Sequence, residues 1–269
     1  MPARRTMDTS YTLYGQAGRA LAAGNFAEAA DLYGRAATGL EAERGLDADA
    51  TLQALLEWGL ALYNLQRYDE AEIHQRRALE ARIRTVGADH ADTLNTRVRL
   101  AESIGAQGRW EAAEALAHET VALGEARGWG LHESVISGRL AIAWIRRRQE
   151  RWNEATGLAR TVVDQFHTIR HDDHSFAVAA RHLLVECLLN TGDLAGAEEQ
   201  ATRVRQMRTE QLGADHPYTI IISCDLARVL STAGRPGEAQ PLAAQVLPTA
   251  VHVLGNDHAH TQRLRELAA

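Results

Sequence analysis

In the stretch Leu212 to Thr219, LGADHPYT, an aspartate stands beside a histidine, a pairing that suits a metal ligand set or a proton relay. His182 and Glu186 form a second candidate pair, one turn apart on a helix and close enough there to share a proton. Ligand-type residues crowd together at Arg170-His171-Asp172-Asp173-His174, as a surface metal site would need. Trp144, with Arg146, Arg147, Arg148 and Arg151 following, has the makings of a stacking and cationic platform for an acidic peptide, a phosphate or single-stranded nucleic acid. His118-Glu119 and His132-Glu133 begin like a zinc-protease helix but lack the second histidine four residues after the first.

Composition removes several of these chemistries. All 29 basic residues are arginine. Without lysine there is no P-loop, no kinase-type strand lysine and no Schiff base on a lysine amine. A formal net charge of -6 argues against nucleic acid as the partner, because phosphate neutralisation calls for a basic excess. The two cysteines, Cys187 and Cys224, belong to no disulfide or thiolate-metal pattern and suit a reducing compartment. Met1 to Ser10 lacks an apolar segment and no long apolar run occurs, so the expected setting is the cytoplasm, with no membrane. Abundant alanine and arginine without lysine point to a GC-rich bacterial source.

The Asp-His motif is not unique, and its copies define the elements that must position it. VGADHADT at Val86 to Thr93 and LGNDHAHT at Leu254 to Thr261 place His90, His216 and His258 on a 42-residue progression that also passes through His132 and His174. A second column with the same step of 42 runs Phe26, Tyr68, Trp110, Trp152, Leu194, Pro236, and a third runs Ala29, Ala71, Ala113, Ala155, Ala197, Ala239. Inside a unit, apolar and small residues recur at spacings of three and four, the helical pattern. The spacing predicts a first helix from near Ala91 to Ala106 and a second from near Glu111 to Arg127, joined by a Gln-Gly-Arg turn. Gly24, Gly108, Gly192 and Gly234 would end first helices, and Gly87, Gly213 and Gly255 second ones. One such hairpin cannot bury its apolar face alone, so hairpins must stack into a right-handed α-solenoid with a concave face.

These motifs, with LQRYDEAEIHQRRALE across one turn, resemble the tetratricopeptide repeat (TPR) and in particular the 42-residue repeats of kinesin light chains and many bacterial regulators. The resemblance implies an all-α right-handed solenoid of six TPR hairpins plus a C-terminal capping helix. A single domain over 1–269 is expected, with repeats at about 8–47, 48–89, 90–131, 132–173, 174–215 and 216–257, a cap at 258–269, and no fused effector domain. Small residues at Ala17, Gly59, Ala101, Ala143, Val185 and Ala227, and at Ala36, Ala78, Thr120, Val162, Val204 and Val246, would let helices approach to about 8–10 Å. The family's asparagine-rich first-helix motif is replaced here by Leu55-Leu56-Glu57-Trp58-Gly59 and its counterparts. Pro248 is expected to kink the last second helix near Ala244 to Pro248.

The resemblance also implies a non-enzymatic module that binds a protein or peptide ligand in its concave groove, in regulation or complex assembly, without metal or cofactor. Counting from each small residue, the inward set includes Tyr14, Leu56, Leu60, Tyr63, Asn64, Val98, Glu102, Leu140, Trp144, Arg147, Arg148, His182, Glu186, Asn190, Cys224 and Arg228, with Glu57, Arg99 and Asp225 at the edge. Leu56, Tyr63 and Trp144 are the expected apolar anchors; Asn64, Arg99, Arg148, Glu186 and Arg228 would orient the ligand. Two rivals stand beside this. The groove could be a small-molecule or catalytic pocket around His182 and Glu186, or the protein a self-associating scaffold. In LGADHPYT itself, Gly213 would end one helix, Asp215 cap the next and Pro217 fit its first turn.

Overall fold

The computed structural model describes residues 2–169, 171 and 173–269, with side chains from residue 9 onward. Thirteen α-helices and no strand are found among them. The chain divides into two compact units, Met1–Ile145 and Arg146–Ala269. The first contains α1 (Pro2–Ala22), α2 (Phe26–Arg44), α3 (Asp49–Asn64), α4 (Tyr68–Thr85), α5 (Ala91–Ala106), α6 (Trp110–Ala126) and most of α7 (Glu133–Arg148). The second takes the last turn of α7 and continues through α8 (Trp152–Thr168), α9 (Ser175–Thr191), α10 (Leu194–Leu212), α11 (Pro217–Thr232), α12 (Pro236–Val253) and α13 (Ala259–Ala268).

Within each unit, successive helices pack as antiparallel hairpins, and odd-numbered helices also touch one another: α3 with α5, α9 with α11, α11 with α13. Even-numbered helices show no comparable mutual contact among the described residues. Each unit therefore has an inner layer of odd helices that converge and an outer layer of even helices that splay. The small-residue column explains the convergence: Ala17, Ala101, Ala143, Val185 and Ala227 are all fully buried. A Cβ on Gly59 would come within 2.8 Å of Gln75, so a glycine is what that crossing permits. Leucines, isoleucines and alanines fill the space between layers, as in the cluster of Leu79, Leu100, Ile104, Ala113 and Ile145 in the first unit and that of Ile220, Cys224, Ala227, Ala243 and Leu264 in the second.

The column Phe26, Tyr68, Trp110, Trp152, Leu194, Pro236 supplies the first residue of every outer helix from α2 to α12. Two residues earlier the backbone is left-handed each time, at Gly24, Gln66, Gly108, Glu150, Gly192 and Gly234. Gln66 (φ 61°) and Glu150 (φ 58°) take this conformation despite their side chains, because the hairpin geometry over-determines the turn.

The joints leading into the inner helices correct one expectation. Asp215 is exposed and caps nothing; His216 is the N-cap of α11, its Nδ1 accepting the Tyr218 backbone N–H at 3.2 Å. His90, His174 and His258 accept from Asp92, Phe176 and His260 in the same way at 3.3 Å, and His132 accepts from Ser134 at 3.3 Å. Histidine reaches because the residue is extended and its Nδ1 lies over the second N–H of the helix. In the α2–α3 joint the equivalent residue is Ala48, which offers no side-chain cap. Pro217 opens α11 and Pro236 opens α12, where a missing N–H costs nothing. Pro241 and Pro248 lie inside α12, which nevertheless continues to Val253.

Candidate functional site

The inner layer of the first unit has a mainly apolar core-facing side. Leu56 lies in the core with Ala37, Leu40, Leu52, Ala78 and Ala81, and is not a surface anchor; Val98 and Leu140 are likewise buried. The position three before the small residue faces the layer interface, which places these side chains between α2, α3 and α4 or their equivalents. Cys224 shares this position and burial in the second unit. Tyr63 is half-buried, its ring edge-on to Tyr68 at 5.2 Å, and Asn64 Nδ2 donates to the Leu60 carbonyl at 2.9 Å on its own helix. Arg99 and Glu102 pair at 3.3 Å within α5, and burial pushes the Glu102 carboxyl up against the pull of Arg99. Trp144 is half-buried near the end of α7.

In the second unit the inner layer carries charged side chains that link neighbouring helices. Arg147 makes a two-pronged ion pair with Glu186 of α9, the Nε–Oε2 arm at 2.7 Å. His182 Nε2 lies 2.8 Å from Asp225 Oδ2 of α11, and Arg228 lies 3.4 Å from the other oxygen of the same carboxylate. The pairing of His182 with Glu186 expected from the sequence is replaced: each has a partner on the neighbouring element instead. The reason is the repeat. Sequence separations of 39 and 43 bracket the 42-residue period, so residues on adjacent inner helices stand side by side. Asn190, exposed, donates to the Glu186 carbonyl at 2.8 Å.

Electrostatics set Asp225 apart. Only 8% exposed, its carboxyl is pushed up by burial, yet the His182 hydrogen bond and the nearby His182, Arg228 and His260 outweigh this and hold it below its ordinary value. His260 of α13 joins this group although its sequence position had not marked it; burial lowers it, opposed by Asp225. Both cysteines are buried, and burial followed by the adjacent Glu186 or Asp225 pushes each thiol up to about 12, so neither is a thiolate nucleophile at neutral pH.

The arginine platform dissolves into separate pairs. Arg146 and Arg151 both reach Glu154, at 3.5 and 2.7 Å, and Arg147 is taken by Glu186, while Arg148 is exposed. Of the ligand-rich joint, Arg170 and Asp172 lie outside the described residues; among those described, no group of three or more His, Cys, Asp or Glu is arranged to hold a metal. Two clefts occur on the outer side of the inner helices, away from His182 and Glu186. One of about 500 Å³ is lined by Arg160, Asp164, Arg181, Leu184 and Asp193, and one of about 700 Å³ by Gly34, Thr38, Trp58 and Arg67. They are repeat-equivalent gaps between successive outer helices. No described helix is long and apolar enough to cross a membrane.

Solved structures share this architecture. A Podosopora anserina protein described by its kinesin light chain TPR-like repeats aligns at 22% identity and TM-score 0.55, over 75% of this chain and 95% of its own. BtubC (BKLC) from P. vanneervenii gives 13% identity and TM-score 0.61, over 95% and 93%. The Rap conjugation gene regulator of plasmid pLS20, solved with the Phr* peptide, gives 11% and 0.69, over 96% and 73%. At such identities these similarities concern the fold. No curated protein matches by sequence. The family model for the tetratricopeptide repeat matches residues 50–126 and 175–250, more than half of the chain. The chain therefore belongs to the tetratricopeptide-repeat family.

Proposed function

We propose that this protein is a non-enzymatic binding module that takes a peptide or protein segment on the inner layer of its second unit, acting in regulation or complex assembly in a bacterial cytoplasm. The observation that carries the reading is the cross-helix polar set Arg147–Glu186 and His182–Asp225–Arg228. Each member is held by a partner, most of them one repeat away, yet Arg147, His182, Glu186 and Arg228 keep about a fifth to a quarter of their side-chain surface in solvent. Such groups are ordered before a ligand arrives, so binding does not have to immobilise them. Asn190 and Arg148 extend the polar surface, and in the first unit Tyr63, Asn64, Arg99, Glu102 and Trp144 offer one that mixes aromatic rings with charge. The peptide-bound Rap regulator shows that this architecture accepts a peptide in another protein.

Random-peptide display panned against the wild type and an Arg147→Ala/Arg228→Ala variant tests this. The expected result is a sequence family enriched on the wild type and bound at least about tenfold more weakly by the variant. No enrichment, or equal binding to both proteins, contradicts it.

A further inference from the structure

We propose that the histidine-capped joints form a distributed acid sensor, loosening the attachment of inner helices α5, α7, α9, α11 and α13 when protons occupy their caps. In all five joints the acceptor is the same atom, Nδ1, and the donor is the backbone N–H two residues on, with distances of 3.2–3.3 Å. At His132 the Ser134 hydroxyl also lies 2.8 Å from that nitrogen. Only a neutral imidazole protonated on Nε2 can accept there; an imidazolium has donors alone. It would also set a full positive charge against the positive end of a helix dipole. The usual capping residues, Ser, Thr, Asn and Asp, remain acceptors through the mildly acidic range, so the choice of histidine makes the caps responsive to acid where ordinary ones are not.

The surroundings differ from joint to joint. His90 faces the carboxylate of Asp92 at 3.5 Å and that of Asp89, which Arg127 grips at 2.6 Å. His132 stacks on Trp129 at 4.8 Å, over which Arg127 lies at 5.2 Å. His174 stacks on Phe166 at 5.2 Å with His171 at 6.3 Å. His216 is buried beside Tyr218 at 5.2 Å, and Arg208 lies over that ring. His258 lies 5.4 Å from His260, which in turn interacts with Asp225, His182 and Arg263, and burial lowers His258. Asp173, Asp215 and Asp257 precede their histidines, and Glu133 follows His132. The α2–α3 joint provides a built-in control, since Ala48 at its capping position has no side chain to titrate.

Two measurements test the proposal. Imidazole nitrogen-15 NMR of the wild type at pH 7.5 should show His90, His132, His174, His216 and His258 as the Nε2–H tautomer; Nδ1–H tautomers or imidazolium at these positions overturn it. Thermal unfolding at pH 7.5 and 5.5 is then compared with the fivefold variant His90→Asn, His132→Asn, His174→Asn, His216→Asn and His258→Asn, whose carboxamides cap without titrating. The wild type should lose about 5–10 °C more in Tm than the variant over this interval. Equal losses overturn the proposal, and if the variant fails to fold the NMR result decides alone.

Discussion

Glu102 in the first unit and Asp225 in the second are both carboxylates on inner helices, and their surroundings treat them oppositely. Glu102 pairs with Arg99, three residues back on its own helix, and burial dominates, so its charged form is disfavoured. Asp225 receives His182 from α9 together with Arg228 from its own helix, and its charged form is favoured despite its burial. The difference teaches that a buried carboxylate on this layer is held charged where a partner one repeat away joins one on its own helix. A partner one period away, give or take three residues, arrives at the right height; a partner on the same turn shares the same half-solvated edge.

Substitutions sharpen the contrast. Asp225→Ala should have the largest effect, a loss of about 3 kcal/mol at pH 7 in urea unfolding, because it strands His182 and Arg228. A folded-state value below the ordinary one contributes stability above the unfolded value near about 3.9, lost as pH falls through the folded value. The gap between wild type and Asp225→Ala should therefore narrow at pH 3. Glu102→Gln should act in the opposite direction, raising stability by roughly 1 kcal/mol at pH 7, since it removes a charge that burial disfavours. Its folded value is raised, so the penalty exists only above the unfolded carboxylate range and the gain should vanish at pH 3. If both substitutions destabilise equally, the cross-repeat rule fails. The smallest effect concerns the turns. Gln66→Gly and Glu150→Gly should each stabilise by about 0.5–1 kcal/mol by relieving a left-handed side-chain residue, read as a Tm rise of a few degrees.

Much of this was legible from residue spacing. The column from Phe26 to Pro236 marks the first residue of each outer helix, and the expected Ala91–Ala106 helix is the one observed. What escaped was contact between units of the repeat and the roles of residues that break a familiar type. Gln66 and Glu150 occupy the left-handed turn without being glycine, so composition hid them. The histidines read as partners of their aspartates because capping is usually assigned to Asp, whereas extended backbone geometry hands the helix N–H to Nδ1. Leu56 and Cys224 looked inward on a helical count but belong to the layer interface, a distinction of one helix face that a single helix cannot reveal. His182 stands one turn from Glu186 in sequence, which suggests that pairing, whereas opposite charges 39 to 43 apart on successive first helices point to Asp225 and Arg147.

The central claim is that the inner layer of the second unit receives the ligand. Hydrogen–deuterium exchange of the full chain, with and without a display-enriched peptide at saturating concentration, tests it most directly. The account predicts added protection in α9 and α11, around His182 to Asn190 and Asp225 to Thr232. Protection confined to the outer helices α8, α10 and α12, or to α1–α6 alone, would contradict it.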